Sequence, residues 1–438
     1  MPQLKQALTL FDLTMIAIGS TIGSGIFLTP SRIAAELQLP WLILAVWVLG
    51  GITTIAGALT FAELAGMMPQ AGGVYAYLSR AYGGLWGFLY GWAYLLVVNS
   101  GGVAALSLAF ATYFGIFVPL DENGTMLAAI IGLALLTVLN ILGVKIGGIF
   151  SDVFTLLKLA GIGLLIVIGL GWGSPEAMTA SPIGSEATSN VAGALAVAMV
   201  GVLWSYGGWQ HASFAAAEAK DPKRTVPRAM MLGALVVTLV YVLTNAAYLF
   251  LLSPQEMSSS PRVASDAIGT VLGPTGGIII ALAIFISTFG TAGIYTLTAP
   301  RIYFAMAHDR VFFSRVAHVH PRFHTPAVAI LIQSLWATVL IVFWGTFSEL
   351  ISYVVFTDWI FFGLAAAGVF VLRRKEPDAF RPYRTVGYPF TPTLFVAVAS
   401  WFIVTTFVEQ PKQAVAGLAF LAAGVPVYYF WRSKKHEA

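Results

Sequence analysis

Two short stretches of this 438-residue chain carry residue types that could hold a small ligand by its charged ends. One is Ile16-Ala-Ile-Gly-Ser-Thr-Ile-Gly-Ser-Gly-Ile-Phe27, where Gly19, Gly23 and Gly25 alternate with Ser20, Thr21 and Ser24. The other is Trp204-Ser-Tyr-Gly-Gly-Trp209, containing Ser205, Tyr206 and Gly207. Each glycine costs a helix about 1 kcal/mol against alanine, so a cluster of them favours a break. A helix that restarts near Gly23 presents free N–H groups at the positive end of its dipole, which suit an anion. Ser24 adds a hydroxyl, and Gly25 lets a ligand approach the backbone closely. The carbonyls left unpaired at the other half-helix ends suit a cation. Together they match a zwitterion, the α-carboxylate and α-ammonium of an amino acid. Close helix packing through small residues would explain either stretch alone; the pair argues for a site.

A third feature is Lys158, in Thr155-Leu-Leu-Lys158-Leu-Ala-Gly161. It stands about 10 residues, or ~15 Å, from either end of its apolar run, too deep to reach water easily. An ionisable residue at that depth is a functional candidate, because its charged form is costly there. Glu63 and Glu218 sit near helix ends beside basic loops and read as ion pairs or gate latches. His211 reads as a hydrogen-bonded packing residue. Asn99, Asn140, Tyr206 and Ser287-Thr288 are further polar groups at membrane depth, and Asp358 has no assigned role.

The elements that must position these residues are membrane helices. Apolar residues make up 58% of the chain and charged residues 10%, against about 25% charged in soluble domains; mean hydropathy is +0.85. The chain therefore reads as an all-α integral membrane protein embedded in a lipid bilayer. Apolar runs give twelve helices at about 11–36, 41–68, 83–115, 125–143, 147–172, 191–219, 227–252, 276–306, 325–345, 348–373, 389–409 and 412–432. The runs at 83–115 and 276–306 exceed a span and should tilt or project. No small-residue cleavage site follows the first run, so it is not read as a signal peptide. With the N-terminus inside, 19 Lys and Arg fall on the inner side and three, Arg32, Arg262 and Lys412, on the outer. That asymmetry places both termini in the cytoplasm.

The two glycine-rich stretches fall in the first and sixth helices, with Thr21 and Gly207 186 positions apart. Paired broken helices in the two halves of a chain point to a transporter's binding site. The spacing suggests a five-plus-five inverted repeat, about 11–172 and 191–373, with two added helices over 389–432. The whole of 1–438 then forms one transmembrane domain.

The chain resembles the L-type branch of the amino acid–polyamine–organocation superfamily. Gly23-Ser24-Gly25-Ile26-Phe27 matches its GSGIF motif. Glu63 with Gly72-Gly73-Val74-Tyr75-Ala76-Tyr77-Leu78 is similar to its second motif. Ser205-Tyr206-Gly207-Gly208-Trp209, followed by Glu218, Pro222 and Val226-Pro227-Arg228-Ala229, resembles its sixth-helix pattern. Arg301 to Asp309 and His320-Pro321-Arg322 are similar to the end of the eighth helix and the loop beyond. The resemblance implies a LeuT-like fold and alternating access. It implies that the substrate carboxylate meets the N–H groups of Ser24 and Gly25, and that the ammonium meets carbonyls of Thr21, Trp204 and Ser205. It also implies that Lys158 fills the site a sodium ion takes elsewhere and bridges to the first helix, as a structural ammonium, a proton carrier or both. Trp204 stands where an aromatic gate is usual. Its larger ring leaves less room, so small neutral L-amino acids such as alanine and serine are expected. Exchange without sodium is the first expectation and proton-coupled symport the alternative; the expected location is the plasma membrane.

Other classes fit less well. There is no H-E-x-x-H and no nucleophile elbow, so no enzyme is expected. A channel would need a continuous polar lining. No metal, cofactor or nucleic-acid partner is expected. Some eukaryotic relatives pair with a heavy chain through a cysteine after the third helix; this chain has no cysteine, which excludes that disulfide. The short termini suggest no regulatory domain and a prokaryotic character.

Overall fold

Helix starts lie where the sequence supplies caps. Thr9 accepts from the Asp12 N–H at 3.3 Å while the Asp12 carboxylate accepts from the Thr9 N–H at 2.6 Å, a reciprocal cap that opens α1 (Leu10–Thr21). A computed structural model describes residues 4–175, 191–344, 347–409 and 411–437. After α1 come α2 (Gly25–Leu37), α3 (Pro40–Met67), α4 (Val74–Tyr82), α5 (Gly84–Ala93) and, beyond a π-helical turn at Tyr94–Val98, α6 (Asn99–Phe114). They are followed by α7 (Glu122–Ile141), α8 (Val144–Trp172), α9 (Val191–Ser205), α10 (His211–Phe214) and α11 (Pro222–Leu251). The remainder is α12 (Pro254–Ser259), α13 (Val263–Leu272), α14 (Pro274–Thr298), α15 (Pro300–His308), α16 (Ala327–Trp344), α17 (Phe347–Lys375), α18 (Phe390–Glu409) and α19 (Pro411–Glu437).

Ten helical stretches among the described residues are long and apolar enough to cross a membrane. The apolar helices Gly193–Ser205 and Ala327–Phe343 are shorter. Exposed leucines and valines on α7, α8 and α11, such as Leu127, Val167 and Leu239, have no water-soluble rationale and suit lipid contact. In the first stretch, Leu10–Leu37, 78% of the most apolar window is buried, against 28% for Phe390–Glu409 and 22% for Ala414–Ser433. The broken helix is thus central and the last two are peripheral. Around α1 pack α8, α11 and α14.

The helix over 191–219 is interrupted where the glycine-rich stretch leads one to expect it: the chain leaves helix after Ser205 and resumes only as α10 and a 3₁₀ turn at Ala216–Glu218. Gly208 adopts φ +134°, and a Cβ there would lie 2.5 Å from the Ser20 backbone, so only glycine lets the two broken segments touch. The helices α4, α12 and α13 are additional; at 9, 6 and 10 residues they are too short to register as apolar runs. Residues 176–190, read as the loop before the sixth helix, and the side chains of Lys434 and Lys435 lie outside the described residues.

Candidate substrate site

The first break begins where α1 closes its last turn with the Ile22 N–H on the Ile18 carbonyl, 2.8 Å. The Gly23 N–H turns back to Thr21 O at 2.9 Å, and α2 opens with Phe27 and Leu28 both donating to Ser24 O at 3.1 Å. Among the described residues nothing accepts from the N–H groups of Ser24, Gly25 or Ile26. They are the orphan donors of a helix start. A Cβ on Gly25 would come within 2.9 Å of the Ser205 Cα, so glycine permits α2 and the end of α9 to meet.

The carbonyls on the other side of this break are held by Lys158. Its side chain is 1% exposed, and its Nζ donates to Gly19 O (2.9 Å), Ile22 O (2.7 Å), Ser287 O (3.2 Å) and Thr291 Oγ1 (2.7 Å). The Ser287 hydroxyl lies 3.1 Å from both Ile22 O and Gly23 O. An ammonium from α8 and hydroxyls from α14 thus converge on one ring of oxygens, the coordination a small cation would receive.

The second break is held by neutral groups. The Tyr241 hydroxyl lies 2.9 Å from both Thr21 O and Ser205 O and donates between them. Ser20 Oγ donates to Gly208 O at 2.8 Å, and Gly208 N–H to Gln210 Oε1 at 3.0 Å. Thr29 Oγ1 and Ser205 Oγ are 2.9 Å apart. Thr21 O accepts from both the Gly23 N–H and the Tyr241 hydroxyl, whereas the carbonyls of Trp204 and Ser205 each accept one described bond and keep a second lone pair.

Between the breaks lies a cavity of about 50 Å³ lined by Thr21, Gly23, Ser24, Gly25, Trp204, Ser205 and Gly207, and also by Asn99 and Asp358. Tyr206 is the correction: it does not line the cavity but turns towards α3, where its hydroxyl donates to Trp47 O at 2.9 Å and its ring packs against Trp47 and Tyr241. Trp204 also lines a second cavity of about 520 Å³ between α2 and α9, so this residue borders both spaces.

The remaining polar residues are placed outside the cavity wall. His211 is buried between the Tyr94 hydroxyl (3.0 Å) and Thr298 Oγ1 (2.6 Å) and stacks on Tyr295. Glu218 pairs with Arg301 at 2.7 Å, both side chains fully buried. Glu63 binds Arg373 (2.7 Å), Arg381 (3.2 Å) and the Thr385 N–H (2.8 Å). Asn140 bonds Gly293 O at 3.1 Å. Sequence reasoning missed Tyr241 and Thr291. The only signal was a tyrosine hydroxyl at membrane depth, which when buried needs a partner.

The amino acid permease profile matches residues 8–430. The chain is 34% identical over 434 residues to the serine/threonine exchanger SteT of Bacillus subtilis (strain 168), covering 98% of each protein. It is 33% identical over 452 residues to the large neutral amino acids transporter small subunit 2 of Mus musculus, and 31% identical over 443 to the Asc-type amino acid transporter 1 of the same species. Those alignments cover 98% of this chain and 82% of each relative.

Proposed function

The chain belongs to the amino acid permease family, and from that premise we propose that it exchanges small neutral L-amino acids across the plasma membrane by alternating access, without sodium. One observation carries the site: Ser24 and Gly25, whose N–H groups have no acceptor among the described residues, line a cavity of about 50 Å³ together with Thr21, Trp204 and Ser205. The N–H groups take the substrate carboxylate and the carbonyls its ammonium. That volume holds only a small molecule, which favours alanine- and serine-sized substrates. Lys158 occupies the oxygen ring that a sodium ion would need, which supports sodium independence. The relatives named as exchangers or neutral amino acid transporters support the transported class.

In this reading Gly193–Ser205 and Ala327–Phe343 are the sixth and ninth spans, completing twelve, with inverted repeats over about 11–172 and 191–373 and both termini cytoplasmic. The test is uptake of labelled L-alanine into proteoliposomes, with and without internal amino acid and with and without an inward proton gradient. Uptake that requires internal amino acid and ignores the gradient supports exchange. Uptake into empty vesicles that rises with the gradient replaces exchange with proton symport and makes Lys158 the first residue to vary. No uptake of alanine, serine or leucine removes the amino acid assignment.

A further inference from the structure

The cavity between the two breaks is also lined by Asn99 and Asp358, each with a side-chain oxygen that no described residue hydrogen-bonds. Asn99 follows the π-helical turn that ends at Val98, and its side chain is 1% exposed. Its Nδ2 lies 3.5 Å from Tyr295 O, and its Oδ1 is buried without a partner among the described residues. Asp358, on α17, lines the same cavity, and its Oδ1 is also buried without a partner. Tyr90, Tyr94 and Tyr295 lie around it. None of the three hydroxyls hydrogen-bonds the Asp358 Oδ1; the Tyr94 hydroxyl lies instead 3.0 Å from His211 Nε2. The described ion pairs do not include Asp358. A carboxyl group and an amide thus line a space of about 50 Å³ with an oxygen each to satisfy.

We propose that Asp358, supported by Asn99, selects substrates by the hydrogen-bond donor on their side chain, so that hydroxyl amino acids are preferred to apolar ones of the same size. The proposal rests on the reading of Ser24 and Gly25 as the amino acid site, since the substrate side chain then shares one small cavity with Asn99 and Asp358. A substrate hydroxyl exchanges a hydrogen bond with the Asp358 carboxyl group, which a methyl group of the same size cannot do. An apolar side chain of equal volume displaces water and leaves both acceptors unpaired in a dry site, which is where discrimination by hydrogen bonding becomes large. A long cationic side chain would also satisfy a carboxylate, but the cavity is too small for one, with Trp204 and Trp359 at its walls.

The test compares L-serine with L-2-aminobutyrate, which differ only by hydroxyl for methyl, as competitors for labelled L-serine exchange by the full chain in proteoliposomes. Wild type should favour serine by roughly tenfold, the size of one buried hydrogen bond. Asp358→Ala should bring the ratio close to one, the isosteric Asp358→Asn should leave an intermediate ratio, and Asn99→Ala should lower it by a smaller factor. The isosteric variant keeps the test readable if the alanine variant folds poorly. A wild-type ratio near one overturns the proposal, as does a ratio unchanged in Asp358→Asn and Asp358→Ala. Preferred uptake of lysine or ornithine overturns the hydroxyl assignment. Loss of a proton-driven component in Asp358→Asn with the ratio intact makes Asp358 a proton carrier instead. Wild type that exchanges no amino acid overturns the underlying site reading, an outcome distinct from all of these.

Discussion

The two helix breaks solve the same problem by opposite means. At the first, the exposed carbonyls of Gly19 and Ile22 converge on the ammonium of Lys158, with Ser287 and Thr291 completing the ring. At the second, the acceptors are met by neutral hydroxyls and amides: Tyr241 on Thr21 O and Ser205 O, Ser20 on Gly208 O. A charged donor with several acceptors makes a stiff joint, because removing it strands several buried oxygens at once. One hydroxyl shared by two carbonyls makes a softer one. The difference teaches where motion can begin. The first break is braced against α8 and α14, while the second is held by α11 and α1 through contacts that can be exchanged one at a time. The donors that would receive a carboxylate, Ser24 and Gly25, lie beside the stiff joint, and the bulky Trp204 lies beside the soft one.

Variants can break this contrast, and the largest effect is expected at Lys158. Lys158→Met leaves two carbonyls, Ser287 O and the Thr291 hydroxyl without their shared donor. Thermal unfolding of the purified protein should show a loss of at least ~3 kcal/mol, with exchange abolished. A variant as stable as wild type would mean the ammonium is no brace. Tyr241→Phe should cost less, about 1–3 kcal/mol for one buried hydroxyl, and should raise the KM for alanine because Thr21 O and Ser205 O lose their tether. If it destabilises more than Lys158→Met, the ranking of the joints is reversed. Trp204→Ala should leave stability nearly unchanged while broadening uptake towards leucine by roughly tenfold; an unaltered substrate preference in competition assays would show that the indole is packing alone.

The smallest effect belongs to a pair far from either break. Arg80 meets Glu376 at 2.5 Å with both side chains about a third exposed, so the pair contributes at most ~1 kcal/mol. The hydrogen bond from Arg80 holds the Glu376 carboxyl below its ordinary value. A depressed carboxyl stabilises the fold above its unfolded pKa, and that contribution disappears as pH falls through the folded value. Glu376→Gln should therefore lower the unfolding midpoint slightly at pH 7 and not at all near pH 3; an equal drop at both would deny the pair its charge.

Much of this architecture was legible from residue types. Glycines between Ile18 and Ile26 marked the first break, and a single lysine in an apolar run marked Lys158 as something the fold had to satisfy. The direction of a side chain leaving a broken helix was not legible. Tyr206 sits beside Gly207 in sequence yet faces Trp47, because the turn after Ser205 rotates it towards α3. Tyr241 and Thr291 were silent for the same reason: a tyrosine or threonine at membrane depth reveals its partner only when another helix is brought against it. Asp358 was visible as an anomaly, but its neighbour Asn99 arrives through a π-helical turn that the sequence does not signal.

The central claim is that the free N–H groups of Ser24 and Gly25 receive a substrate carboxylate. The most direct measurement is competition against labelled L-alanine exchange by unlabelled L-alanine and by its methyl ester, which keeps the ammonium and the side chain but lacks the anion. The account predicts that the acid competes and the ester does not, and that L-alanine raises the thermal unfolding midpoint of the purified protein where the ester leaves it unmoved. An ester that competes and stabilises as well as the acid would contradict it and remove the anion from the first break.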